Sequence, residues 1–79
     1  MIRILFFGPV AERVDAREMQ IEFQPGSCLQ DVVAQLRERY PKAFEIVCCT
    51  AVNAVHARDQ QLLLADNDEI AFMAKFSGG

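Results

Sequence analysis

One stretch of this sequence carries an unbroken helical period, and it constrains what everything around it can become. Leu29, Val32, Val33, Leu36 and Tyr40 fall on a single apolar stripe. Ser27 reads as the N-cap, and Gln30, three residues on, as the second half of a capping box. Asp31 near the start and Arg37 and Arg39 near the end suit the helix macrodipole. Pro41 stops the helix, because the residue before a proline is pushed out of helical backbone. One amphipathic helix has only one place to bury its stripe, which is across a sheet. The expected class is therefore α+β in two layers.

The other segments supply that sheet. Ile2 to Phe7 is β-branched and aromatic, with Ile2, Ile4 and Phe6 on one face and Arg3, Leu5 and Phe7 on the other. Both faces are mostly apolar, as in a central strand. Gly8-Pro9 ends it. Residues 10–17 have room for a turn or two of helix, with Val10 and Val14 at i, i+4 and Pro9 in the first turn. Residues 18–24 alternate: Met19, Ile21 and Phe23 against Glu18, Gln20, Glu22 and Gln24, a strand with one wet face. Residues 42–47 are ambiguous, with Phe44 and Val47 available as a short helical plug. Residues 48–57 read as a strand that turns back near Asn53-Ala54. Asp66-Asn67-Asp68 is a turn in which Asn67 tolerates positive φ. Glu69 to Phe76 is the last strand, with Ile70, Phe72 and Ala74 opposed to Ala71, Met73 and Lys75. The first and last strands are the most apolar, so they belong side by side in the middle of the sheet.

Composition narrows the function. With 79 residues, 52% hydrophobic and 24% charged, the chain is one folded domain, residues 1–79. Its 11 acids against 8 bases give a net charge of −3, which argues against a nucleic-acid partner. No apolar run approaches the roughly 18 residues of a membrane span, so no membrane is expected. Met1 to Phe7 is too short, and too quickly followed by Gly8-Pro9, to read as a secretory signal. The three cysteines, Cys28, Cys48 and Cys49, form no metal-binding spacing; no metal is expected, and the thiols read as reduced in a cytoplasmic protein. Adjacent Cys48 and Cys49 point to opposite faces if they lie in a regular strand.

No side-chain constellation for catalysis emerges. His56 is the single histidine and has no partner spaced around it. Asp66, Asp68 and Glu69 share a turn without the calcium-loop pattern. Cys48 and Cys49 lack a basic neighbour in the local sequence. The anomaly is the final segment, where an apolar strand runs to Phe76 and is followed by Ser77-Gly78-Gly79. It is either an ordinary frayed terminus or a flexible tail, residues 76–79, able to enter a narrow channel because glycine has no Cβ. Those four residues extend roughly 13 Å. The reacting group would be the Gly79 carboxylate, which needs activation by a partner enzyme.

These residues resemble the MoaD family, the small sulfur-carrier subunits of molybdopterin synthase. The likeness rests on Ile2-Arg3-Ile4-Leu5-Phe6-Phe7-Gly8, the capped helix, Ala51-Val52-Asn53, and Asp68-Glu69-Ile70-Ala71-Phe72 leading to Phe76-Ser77-Gly78-Gly79. It implies a ubiquitin-like β-grasp fold, a mixed four- to five-stranded sheet on one main helix. It also implies that the chain is not an enzyme on its own. Gly79 would be adenylated by an E1-like enzyme that uses ATP, with no cofactor bound to the carrier. A sulfur donor protein would then allow a thiocarboxylate to form. The tail, Phe76, Ser77 and Gly78, would insert into the large subunit of a heterotetrameric synthase, where sulfur passes to a cyclic pyranopterin precursor. Phe7, Met73 and Lys75 are the candidate partner surface, with core packing the other reading of Phe7 and Met73. The chain departs from the family at Ala74-Lys75, where Pro-Pro is common, and at Asn67, where glycine is frequent. The alternatives are a sulfur carrier for another route, such as the thiamin thiazole, and a ubiquitin-like binding module without sulfur chemistry.

Overall fold

The structure, a computed structural model, describes residues 1–75. The elements run β1 (Ile2–Phe6), α1 (Pro9–Val14), β2 (Glu18–Ile21), α2 (Leu29–Arg39), α3 (Pro41–Phe44), β3 (Val47–Val52), β4 (Val55–His56) and β5 (Glu69–Ala74). They form a five-stranded sheet in the order β2-β1-β5-β3-β4. The first and last strands pair in parallel at its centre, Ile4 with Ile70 and Phe6 with Phe72. Every other pairing is antiparallel.

The core follows the alternation of the central strands. Ile2, Ile4 and Phe6 from β1 and Ile70, Phe72 and Ala74 from β5 are buried together with Leu29, Val32, Val33 and Leu36 of α2. Phe72 lies at the centre: its ring stacks on Phe6 at 6.1 Å and meets Phe44 edge-on at 5.0 Å. The plug expected near residues 42–47 is α3, whose Phe44 is buried; Val47 instead opens β3.

Three local expectations are corrected. The strand expected over 18–24 ends at Ile21, because Ile21 pairs with Ile2 and β1 offers no residue beyond it. The N-cap of α2 is Cys28, not Ser27, and the capping carboxylate is Asp31, not Gln30. The Cys28 N–H donates to Asp31 Oδ2 at 2.9 Å. Ser27 is held out of the cap by its carbonyl, which accepts from the Leu64 N–H at 3.0 Å, and the Gln30 amide accepts from Gln61 Nε2 at 2.8 Å. Finally, Cys48 and Cys49 do not diverge. A register shift between Val47 and Cys49 interrupts the β3–β5 ladder, and the two Sγ atoms stand 3.6 Å apart.

Two turns are tied together by Asn53. Asn53 and Ala54 both have positive φ, 51° and 68°, which makes the β3–β4 connection a two-residue hairpin of the type that matches strand twist. Asn53 Nδ2 donates to Asp68 Oδ1 at 2.9 Å, and Asn53 Oδ1 accepts from the Glu69 N–H at 3.0 Å. Asp68 in turn accepts from the Ala65 N–H at 2.8 Å across the turn where Asn67 has φ 72°. Asn53→Ala removes both side-chain bonds and puts a poor residue in the left-handed region; the expected loss is about 2–4 kcal/mol, read from urea unfolding. Ala54 already bears that left-handed cost. Ala54→Gly is expected to raise stability by about 0.5–1 kcal/mol, the relief less the entropy that glycine adds to the unfolded chain, measurable as a higher Tm.

Candidate functional site

The parallel pairing of β1 and β5 decides which residues meet at the end of the sheet. Both strands run toward the same edge, so Phe7, just after β1, comes level with the end of β5. The Phe7 N–H donates to the Phe72 carbonyl at 3.2 Å, extending the ladder by one bond. On the other flank Met73 registers with Cys49. Met73 therefore lies between Phe7 and Cys49. Leu5, in register with Ala71, continues this strip on the face away from α2.

The strip is apolar and open. Phe7 is 46% exposed, so the core-packing reading of this residue does not hold; Met73, Leu5 and Ala71 are half-buried. Lys75 is exposed and follows directly after β5. Phe7, Met73 and Lys75 thus share one end of the sheet. Phe76, Ser77, Gly78 and Gly79 lie outside the described residues, and with them the tail expected over 76–79.

Gly8 shapes this end. Its φ of 54° and ψ of −132° form a combination that only glycine adopts at low cost. The turn it makes lets Pro9 start α1 immediately, with Val10 and Val14 directed into the core. Beside it, Phe7, Gly8, Ala11 and Arg17 line a shallow concavity of about 510 Å³. Sequence reasoning did not single out Ala11 or Arg17. Their place depends on α1 folding back beside β1, and no local pattern reports that.

The far end of the same face is charged. Arg3 Nε donates to Glu18 at 2.7 Å and its Nη1 to Glu69 at 3.3 Å. The hydrogen bond and charge of Glu18 raise the Arg3 pKa further above its ordinary value. The exposed face is thus divided: an ion-paired end at Arg3 and an apolar end at Phe7 and Met73.

The turn acids are committed to structure. Asp66 pairs with the Met1 ammonium, which holds its carboxyl below the usual carboxylate range. Asp68 binds Asn53 and the Ala65 N–H, and Glu69 binds Arg3. His56 is exposed on β4, the edge strand remote from Phe7. Among the described residues, no group of three or more His, Cys, Asp or Glu side chains is arranged to hold a metal ion. No described helix is long and apolar enough to cross a membrane. The described residues therefore present an exposed apolar strip at Phe7 and Met73, and their turn acids are held in structural bonds.

Known proteins share this architecture along nearly its full length. A relative from Mycobacterium tuberculosis named molybdopterin synthase sulfur carrier subunit is 32% identical, covering 99% of this chain and 96% of its own. The crystal structure of SAMP1 from Haloferax volcanii superposes with a TM-score of 0.84 at 19% identity, covering 99% of this chain and 98% of that one. A chain from the complex of subunits 1 and 2 of molybdopterin-converting factor from Helicobacter pylori superposes at 0.75 with 25% identity, covering 99% and 97%. The fold is the ubiquitin-like β-grasp, here with five strands. The ThiS family model matches residues 4–79, and the chain belongs to the ThiS family.

Proposed function

We propose that this chain is the small, sulfur-carrying subunit of a molybdopterin synthase and works in the cytoplasm. The observation that carries this reading is the end-to-end match to a relative with that name. The surface supports it, since the apolar strip at Phe7 and Met73 adjoins Lys75, from which the tail continues. A large subunit is the partner to which this face would dock, by analogy with the two-subunit complex from Helicobacter pylori.

The chemistry follows from a carboxylate being a poor electrophile. A Gly79 carboxylate oxygen attacks the α-phosphate of ATP on an E1-like enzyme, and pyrophosphate leaves. A persulfide sulfur on a donor protein then displaces AMP, giving an acyl disulfide. A second thiol of the donor system attacks the donor-side sulfur, so that a disulfide forms there and the thiocarboxylate is released on Gly79. Phe76, Ser77 and Gly78 would thread the large subunit's channel, where glycine at 78 avoids a Cβ clash. The thiocarboxylate sulfur then bonds to a carbon of a cyclic pyranopterin precursor in place of an oxygen substituent. Water hydrolyses the acyl–sulfur bond, which leaves the sulfur on the precursor and restores the Gly79 carboxylate. The carrier contributes a delivered group and a docking face, while the large subunit contributes the active site.

The test is intact mass. After incubation with ATP, an activating enzyme and a sulfur donor, the chain should gain the mass difference of an oxygen-to-sulfur exchange. The loaded chain should then yield dithiolene product with a large subunit and the precursor. A chain that gains no mass with any activating enzyme of this class is not a carrier. A second reading is a carrier for a different thiocarboxylate route such as the thiamin thiazole, because Ala74-Lys75 in place of Pro-Pro bears on which partner the tail would enter. A chain that loads sulfur but serves only a thiazole synthase would select it.

A further inference from the structure

Two thiols that a regular strand would separate stand side by side. The register shift in β3 breaks the alternation at Cys48, and the Cys48 and Cys49 sulfurs lie 3.6 Å apart. Cys48 is exposed and Cys49 half-buried, so the pair is open to a reagent in solvent. The carrier chemistry uses neither. The remaining cysteine, Cys28, is remote in role, sitting at the N-cap of α2.

We propose that Cys48 and Cys49 form a two-thiol chelating site for trivalent arsenic, presented as an organoarsonous acid. Thiolates held about 2.3 Å from a tetrahedral zinc ion lie about 3.8 Å from one another, so the 3.6 Å spacing suits one bridging atom of similar bond length. Zinc itself calls for four ligands. The described residues bring no third His, Cys, Asp or Glu to the pair. Arsenic with one carbon substituent is satisfied by two sulfurs, and thiolates are the soft ligands such a centre prefers.

Chelation also fits the backbone better than direct oxidation. Consecutive Cα atoms are about 3.8 Å apart, below the usual 4.4–6.8 Å span across a disulfide. A bridging atom enlarges the ring and relieves that constraint. The reaction balances without an oxidant. Each thiol sulfur forms a bond to arsenic as one arsenic–hydroxyl bond breaks, and each thiol proton leaves with the hydroxide as water. Arsenic stays trivalent throughout. The hydrogen bond with Cys49 pushes the Cys48 thiol up, helped by desolvation and the Cys49 charge and opposed by Lys75. A Cys48 thiol kept protonated in this way suits a reagent that carries its own base.

The probe is phenylarsonous acid added to the full chain. Intact mass should show one adduct per chain, with Cys48 and Cys49 lost from the titratable thiols and Cys28 still free. Cys48→Ser and Cys49→Ser should each weaken binding by roughly 10²–10⁴-fold, because chelation is replaced by a single bond. Cys28→Ser should leave binding unchanged. A dithiol competitor should strip the adduct where a monothiol does not. Thermal unfolding of each variant establishes that it is folded before its binding is compared. Equal binding by wild type and a folded Cys48→Ser variant overturns the proposal, as does an adduct lost only in Cys28→Ser. None of these readouts depends on sulfur loading at Gly79.

Discussion

Appending a single leucine after Gly79 should abolish sulfur loading while leaving the fold untouched. The Gly79 carboxylate becomes an amide, which offers no anionic oxygen to attack ATP. The new carboxylate lies about 3.3–3.6 Å further along the chain and carries a branched side chain beside it. Misplacement by even about 1 Å costs roughly 10²-fold in a positioned reaction, so loading should fall by at least that factor. Intact mass after incubation with ATP, activating enzyme and sulfur donor reads the effect directly. Thermal unfolding should match wild type, because the addition lies beyond β5 and the core it completes. Loading at the wild-type rate would place the reacting group elsewhere and remove Gly79 from the mechanism.

Phe72→Ala should produce the largest loss of stability. Phe72 is fully buried and touches aromatic rings from two other elements, Phe6 on β1 and Phe44 on α3. Truncation removes the buried ring and leaves a cavity that the surrounding sheet cannot close, at a cost of about 3–5 kcal/mol. Domains of this kind hold only about 5–15 kcal/mol in total. The urea midpoint should drop steeply with little change in slope. Phe72→Leu should recover more than half the loss, since it refills most of the volume. A loss below about 1 kcal/mol for the alanine variant would show that β5 does not anchor the core. The functional consequence expected from the proposed function is direct, because β5 also carries Met73 and leads into Lys75 at the proposed docking end.

The two predictions separate what each part of the chain does. Phe72 acts through packing, so its loss weakens everything the sheet positions. In the proposed function Gly79 acts through chemistry, so its blockage is expected to leave a stable but idle protein. Asn53 stands between them. It joins the β3–β4 hairpin to the turn before β5 through bonds to Asp68 and Glu69, and so holds in register the strand that leads to the tail.

Much of this was legible in the chain itself, wherever side-chain period and burial carry the same information. The α2 stripe, the alternation in β1 and β5 and the positive φ at Asn67 each follow from nearest neighbours along one element. So does the central place of β1 and β5, since the most apolar strands need cover on both sides. The exposed apolar end at Phe7 and Met73 was half legible. Phe7 and Met73 were nominated as apolar residues on the face away from the helix, but sequence left packing and exposure equally open for them. Exposure of Phe7 depends on how far β1 outruns its neighbours, which is a matter of register between distant segments.

The misreadings have the same origin. Ser27 has better intrinsic capping chemistry than Cys28, yet the bond from Leu64 to the Ser27 carbonyl starts the helix one residue later. Residues 22–24 alternate well but find no partner strand. Cys48 and Cys49 should diverge by local rule and instead converge, because the register shift against β5 inserts an unpaired residue. By itself, then, the sequence determined the elements and the face each one buries, and family likeness pointed to Gly79 as the reacting residue of the proposed function. Tertiary structure alone decided where strands end, which residue caps α2, how open Phe7 stands and that two thiols meet. Those outcomes rest on hydrogen bonds and contacts between segments far apart in the chain, which no local window contains.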